Sequence, residues 1–139
     1  MDGVNTRRLL LSGLAAGVVI WLLEGAMSVT YMDDMERVLE SHNLAMTLGV
    51  TGYAISVVVS LLVGLVLMFF YAASRTRLGA GPRTAVVVAA MLWLGGYVPS
   101  LLGFMMLGLF ETSMLLLWGV VGLVELIVAA LIGGWLYQE

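Results

Sequence analysis

The chain has 139 residues, of which 62% are hydrophobic and only 11% are charged, and its formal net charge is −3. A soluble domain carries about 25% charged residues, so this composition excludes an ordinary water-soluble protein and fits a chain whose solvent is lipid. The absence of cysteine excludes disulfides and thiolate chemistry, and the small acidic charge argues against nucleic-acid binding.

Four long apolar segments predict transmembrane helices, at residues 9–30, 44–71, 84–110 and 113–137. Each is at least as long as the ~20 residues that a helix needs to cross the hydrocarbon core. The sequence therefore predicts a single membrane domain over residues 1–139. Its fold class is all-α: a polytopic membrane protein built as an antiparallel bundle of four transmembrane helices.

The first connector, residues 31–43, is acidic and has an amphipathic pattern. Its methionine, valine and leucine residues recur at helical spacing over residues 32–39, with acids between them. This pattern predicts a short helix at the membrane interface, with its methionine face toward lipid. The alternative is a solvated loop.

The arginines are distributed unevenly between the two sides of such a bundle. The first connector holds one arginine, whereas the N-terminal segment and the connector at residues 72–83 hold the other five: Arg7, Arg8, Arg75, Arg77 and Arg83. The positive-inside rule then predicts a multi-pass protein of the plasma (inner) membrane, with both termini cytoplasmic and the first connector outside.

Small residues recur every four positions in the first two spans. Since lipid provides no hydrophobic drive for helices to associate, close packing depends on small side chains. We expect these residues to form a helix-packing interface, either within the bundle or in a homodimer: Gly13, Gly17, Gly52, Ser56, Ser60 and Gly64.

Two carboxylates interrupt the apolar spans, Glu24 in the first and Glu125 in the fourth. A charged side chain at the centre of a membrane helix costs ~2.5–3.5 kcal/mol, so such residues are candidates for function. Each acid shares a helical face with small residues of its own span, which predicts that both point into the bundle.

The third span brings further polar groups to a similar depth. Pro99 should kink this helix and free the carbonyl of Gly95 from its helical hydrogen bond. Tyr97 and Ser100 flank the proline. The sequence therefore predicts a polar pocket, open toward the outer side, that combines these groups with the two glutamates. The alternative is that the glutamates are hydrogen-bonded within the bundle and serve packing alone.

No cofactor, metal site or catalytic constellation is predicted. His42 is the only histidine, and nothing in the sequence assembles a ligand set around it. Since no nucleophile–base pair or phosphate-binding loop appears either, an enzyme is the least supported function class.

Several features resemble small bacterial four-helix membrane proteins to which no activity is assigned. They are Arg7-Arg8 before a glycine-containing helix, Glu24 late in that helix, the basic turn at residues 75–83 and the ending Gly133-Gly134-Trp135-Leu136-Tyr137. A glutamate in the first of four helices is also similar in layout to small multidrug-resistance exporters. This chain differs from them in its greater length, its second buried acid and its acidic first connector.

Two function classes follow from these observations. The first is a non-enzymatic accessory subunit or scaffold that docks a partner membrane protein, and the absence of a sizeable soluble region slightly favours it. The second is a small carrier, a homo-oligomer in the simplest case, that uses Glu24 and Glu125 for proton or cation coupling. In both, the lipid bilayer is the surrounding partner.

Overall fold

The computed structural model describes residues 4–46 and 49–137, which are helical throughout apart from short turns and contain no strand. The elements in chain order are α1 (Thr6–Ser41), α2 (Gly49–Leu78), α3 (Pro82–Leu92), a π-helical turn (Trp93–Tyr97), α4 (Val98–Leu107) and α5 (Thr112–Leu136). Since α3, the π turn and α4 follow one another without a break, they form one rod. Four helical rods are thus long and apolar enough to cross a membrane, which confirms the predicted fold class.

We name the two ends of the bundle by the connectors that they carry. The base holds Thr6, the turn at residues 79–81 and Leu136, and the top holds the end of α1 at Ser41 and the connector at residues 108–111.

Residues 32–39 are helical, as predicted, but they are the last turns of α1 and not a separate interfacial helix. Neither glycine nor proline occurs between Gly25 and Ser41, so nothing in the sequence ends the helix at the membrane surface. An exposed ion pair between Asp34 and Arg37, 3.0 Å apart and three residues apart in sequence, lies on this extension.

At the base, α2 continues past its predicted end at residue 71 and reaches Leu78. The next residue, Gly79, has a φ of 85°, which favours a residue without a Cβ and stops the helix. Two side-chain hydrogen bonds fasten this turn. The Tyr71 hydroxyl accepts from the Gly81 N–H at 3.2 Å, and the Thr84 hydroxyl donates to the Gly79 carbonyl at 2.6 Å.

The irregularity predicted at Pro99 lies just before the proline, as the π turn. The Val98 N–H donates to the Trp93 carbonyl, five residues back. Pro99 has no backbone N–H, so one helical hydrogen bond is already missing at this position. A wider turn here therefore costs few additional hydrogen bonds. The rod ends at Gly108, which is left-handed with φ of 67°.

The small residues of α1 and α2 lie against each other. A Cβ on Gly17 would come within 2.6 Å of the Leu61 α-carbon, and one on Gly64 would meet the backbone of Gly13 and Gly17. Ser60 is buried at the same interface, and Ser56 accepts a hydrogen bond from Trp21 Nε1 at 3.1 Å. Of the predicted set, Gly13, Gly17, Ser60 and Gly64 are therefore buried inside the bundle, whereas Ser56 is exposed and Gly52 is half-buried on the next turn.

The core of the bundle lies toward the base, where α5 packs against α1, α2 and α3. It is built from small and medium side chains, such as Ala16, Met68 and Ala129, which are fully buried. Toward the top, every residue of the π turn and of α4 is at least partly exposed in the part of the chain that the structure describes.

Candidate functional site

A cavity of about 680 Å³ lies in the top half of the bundle, surrounded by α1, α2, α5 and the segment from the π turn into α4. Most of its lining is aliphatic or aromatic. Its lining includes all four residues of the candidate polar pocket: Glu24, Tyr97, Ser100 and Glu125. The structure therefore brings the sequence candidates to one site.

The two glutamates face the same cavity from different helices. Glu125 on α5 is 5% exposed, and it lines the cavity together with Glu24 on α1. The Tyr31 hydroxyl donates to Glu24 Oε1. Glu125 Oε1 has no hydrogen-bond partner among the described residues, although it is buried. This pair therefore keeps a free acceptor inside the bundle.

Small residues and the π turn set the position of the third rod's polar groups. Gly122 on α5 lies directly against the Tyr97 ring, so no larger residue fits there without moving the ring. The Ser100 hydroxyl donates to the Gly96 carbonyl at 2.9 Å. It is Gly96, and not Gly95 as the sequence predicts, that lines the cavity, because the wider π turn changes which residues face inward.

An aromatic cluster that sequence reasoning missed lies above the acids, at the top of the cavity. Ring centroids are 5.6 Å apart between Tyr31 and Trp118 and 5.1 Å apart between Phe110 and Trp118. Phe104 lies 5.7 Å from Phe110 and 6.4 Å from Trp118. We call these four residues the aromatic cluster.

A signal for this cluster was present in the spacing. Tyr31 follows Glu24 by seven residues, and Trp118 precedes Glu125 by seven. Seven residues are two helical turns, and the two helices run in opposite directions, so each ring stands above its acid on the same face. Met35, one turn beyond Tyr31, also lines the cavity, which corrects the expectation that the methionine face of residues 32–39 lies only toward lipid.

The lining of the cavity is acidic. No arginine or histidine is among the lining residues that the structure describes, so nothing basic stands beside the two carboxyl groups. Two buried side-chain polar atoms lack partners within residues 4–46 and 49–137, Glu125 Oε1 and Trp118 Nε1, and both residues line this cavity. An organic ligand that offers a positive group and a hydrogen-bond acceptor would complement them.

The described residues contain no cluster of three or more metal-ligating side chains. No protein-family model, curated protein or solved structure shows a significant match to this chain. The function is therefore inferred from the cavity and its side chains.

Proposed function

We propose that this integral membrane protein is a small carrier that binds a cationic solute at the Glu24–Glu125 pair in exchange for protons. The observation that carries the proposal is the pair itself: two carboxyl groups that line one 680 Å³ cavity with no basic lining residue in the described chain. Pockets of about 300–1,000 Å³ are typical of sites for small organic ligands.

The exchange follows from elementary electrostatics. Two carboxylates that share one cavity within an apolar bundle repel each other and lack the full hydration that bulk water would supply. The pair therefore needs either a proton or a positive ligand between its oxygens. Since both occupy the same oxygens, a cation that binds must displace a proton, which is the minimal chemistry of a proton-coupled carrier.

Proton release provides the direct test. We expect tetraethylammonium or decyltrimethylammonium, which carry no exchangeable proton, to acidify a weakly buffered suspension of the protein in lipid nanodiscs. Glu24→Gln and Glu125→Gln keep the size and hydrogen-bonding capacity of each side chain but cannot titrate, so both should abolish the release. Glu36→Gln removes an exposed acid of the same helix as Glu24, and this control should release protons like the wild type.

The opposite result would assign the two glutamates a structural role. The carrier proposal is wrong if neither cation releases protons and if Glu24→Gln and Glu125→Gln match the wild type in thermal stability and oligomer size. The glutamates then serve packing, and the accessory-subunit class stands. A partner membrane protein that copurifies in mild detergent at a fixed ratio would identify that subunit role. The cavity supports the carrier first, because docking a partner through helix faces needs no internal volume.

We also propose the orientation that the arginine distribution predicts, with the base in the cytoplasm and the top outside. Because the chain has no native cysteine, Glu40→Cys and Gly79→Cys each give one reactive thiol. A membrane-impermeant maleimide added to intact cells should label the first variant and leave the second unlabelled until the membrane is opened. The reverse labelling pattern would show that the base faces outward and the top faces the cytoplasm.

A further inference from the structure

The walls of the cavity differ in how far they are covered. The lining residues of α1 and α5 are buried or half-buried, for example Ile20 and Leu126. On α2, by contrast, Val59, Leu62 and Val66 line the cavity and are still 52%, 56% and 43% exposed. On the opposite side, the lining residues of α4 include exposed Ser100 and Phe104. The cavity is therefore open on the side that lies between α2 and α4.

The packing of the helices explains this opening. Helix α2 contacts α1, α3 and α5, but within residues 4–46 and 49–137 no α-carbon of α2 comes within 8 Å of one in α4 or in the π turn. The third rod is thus close to α2 at the base, through α3, and diverges from it above the π turn. A lateral cleft remains, which we call the α2–α4 cleft.

The cleft lies at the depth of the hydrocarbon core. At ~1.5 Å of rise per residue, Val59 is about 15 Å from the top end of α2, and Val66 is about 18 Å from its base end. Its rims are aliphatic on the α2 side and carry Phe104 on the other. A cleft with these rims at this depth faces lipid chains and not water.

The route from the top is obstructed. The aromatic cluster joins α1, α4 and α5 above the two acids, and Tyr31 is tied to Glu24 by its hydroxyl as well as to Trp118 by its ring. A solute that reaches Glu24 from the top would have to separate these rings, whereas the α2–α4 cleft is already open.

We propose that the ligand of this site is an amphipathic organic cation that enters sideways from the bilayer through the α2–α4 cleft. Its positive group lies at the Glu24–Glu125 pair, and its hydrocarbon part lies along Val59, Leu62 and Val66. This inference rests on the proposed carrier function and adds the class of solute and its route. Charge complementarity selects the cation, and the lipid-facing mouth selects a compound that dissolves in the membrane.

The test measures whether lipid, ligand or protein occupies the cleft. Val59→Cys and Val58→Cys are a matched pair, since the two valines are adjacent and 52% and 55% exposed, but only Val59 lines the cavity. Each thiol carries a small trifluoroethylthio label, observed by ¹⁹F NMR in nanodiscs that contain nitroxide-labelled lipid. Nitroxide on a lipid chain broadens the signal of any label that the chain reaches.

Both labels should be broadened in the absence of cation. Decyltrimethylammonium should then sharpen the signal at position 59 by displacing lipid from the cleft, with no change at position 58. Tetramethylammonium, which has the same head group and no chain, should need about a tenfold or higher concentration for the same effect. Adding Glu24→Gln and Glu125→Gln to the Val59→Cys variant should abolish the sharpening.

Four results would overturn the inference, the last through the carrier function on which it rests. A signal at position 59 that lipid never broadens would mean that protein, such as a second copy of this chain, covers the cleft. A broadened signal that the long-chain cation leaves unchanged would make the cleft a lipid site. Proton release by tetraethylammonium without any effect of decyltrimethylammonium at position 59 would retain the carrier and reject this route, whereas loss of all proton release would reject the carrier itself.

Discussion

The base and the top of the bundle are built from the same four rods but differ in how closely those rods approach. From the base to mid-height, glycine and alanine let the backbones approach closely, as at Gly17 and Gly64, and the interior is filled by side chains such as Met68. At the top, large rings and the π turn hold the rods apart around an acid-lined cavity. One half of the molecule therefore provides stability, which allows the other half to keep a volume that packing alone would eliminate.

The largest effect is expected when one methyl group is added to the close-packed region and compared with one added to the open region. A Cβ on Gly64 would lie 2.6 Å from the Gly17 α-carbon, and backbone cannot yield as a side chain can. We expect Gly64→Ala to lower the free energy of unfolding by about 3 kcal/mol or more, as measured by thermal or denaturant unfolding in detergent.

Gly103→Ala is the matched control in α4, where a Cβ would have nothing within 4 Å among the described residues. Alanine should raise stability there by about 0.5–1 kcal/mol through its better helix propensity. Equal changes in the free energy of unfolding at Gly64 and Gly103 would show that the two regions are packed equally closely.

The serines of α2 test where the close packing ends. Ser60 is buried between α1 and α2, so Ser60→Leu should cost about 1–3 kcal/mol through overpacking. Ser56, one turn higher, is exposed. Ser56→Leu loses the hydrogen bond from Trp21, a cost of about 0.6 kcal/mol, and the bond that its hydroxyl donates to the Tyr53 carbonyl of its own helix. If both variants unfold at the temperature of the wild type and keep its oligomer size, α1 and α2 do not pack through these small residues.

A conservative change at Tyr31 tests the link between the aromatic cluster and the acids. Tyr31→Phe keeps the ring contact with Trp118 and removes the hydroxyl that donates to Glu24. Stability should fall by about 0.5–1.5 kcal/mol, the net contribution of a typical intramolecular hydrogen bond, here one within α1. Exposed Tyr53 supplies the control, since Tyr53→Phe should leave the unfolding curve in place.

The smallest effect is expected at the surface of the base. The Arg75 guanidinium lies over the Tyr137 ring, 5.1 Å from its centroid, and Arg75→Gln should cost about 0.5–1 kcal/mol. Arg77→Gln, an exposed neighbour on the same helix, serves as the comparison. Identical unfolding curves for the two variants would show that this cation–π contact does not contribute to the free energy of unfolding.

The sequence predicts the four rods well, because long apolar segments have few alternatives in a membrane. It also places Glu24 and Glu125 on inward faces, since the small residues of each helix mark the face that can approach a neighbour. The ends of the rods are predicted less well. Helix α1 continues to Ser41 and α2 to Leu78, because charged residues limit what enters lipid but do not stop a helix.

The cavity itself was not predictable, because it depends on how far two non-consecutive rods diverge. Pro99 signals an irregularity, but the proline alone does not indicate whether the helix bends or widens into a π turn. That choice decides which of Gly95 and Gly96 faces inward. The role of Tyr31 was obscured because the acids that follow it resemble a solvated connector, whereas the helix that contains it is unbroken.

The unbroken helix α1 also sets how the protein sits in its bilayer. With 36 residues it is about 54 Å long, against a hydrocarbon core of about 30 Å. Arg7 and Arg8 near one end and Asp33 and Asp34 toward the other enclose about 24 residues, or 36 Å, that can lie in lipid. A tilt of about 30° brings this length to the core thickness. The tilt of α1 should therefore depend on the thickness of the bilayer, and lipids with shorter chains should increase it.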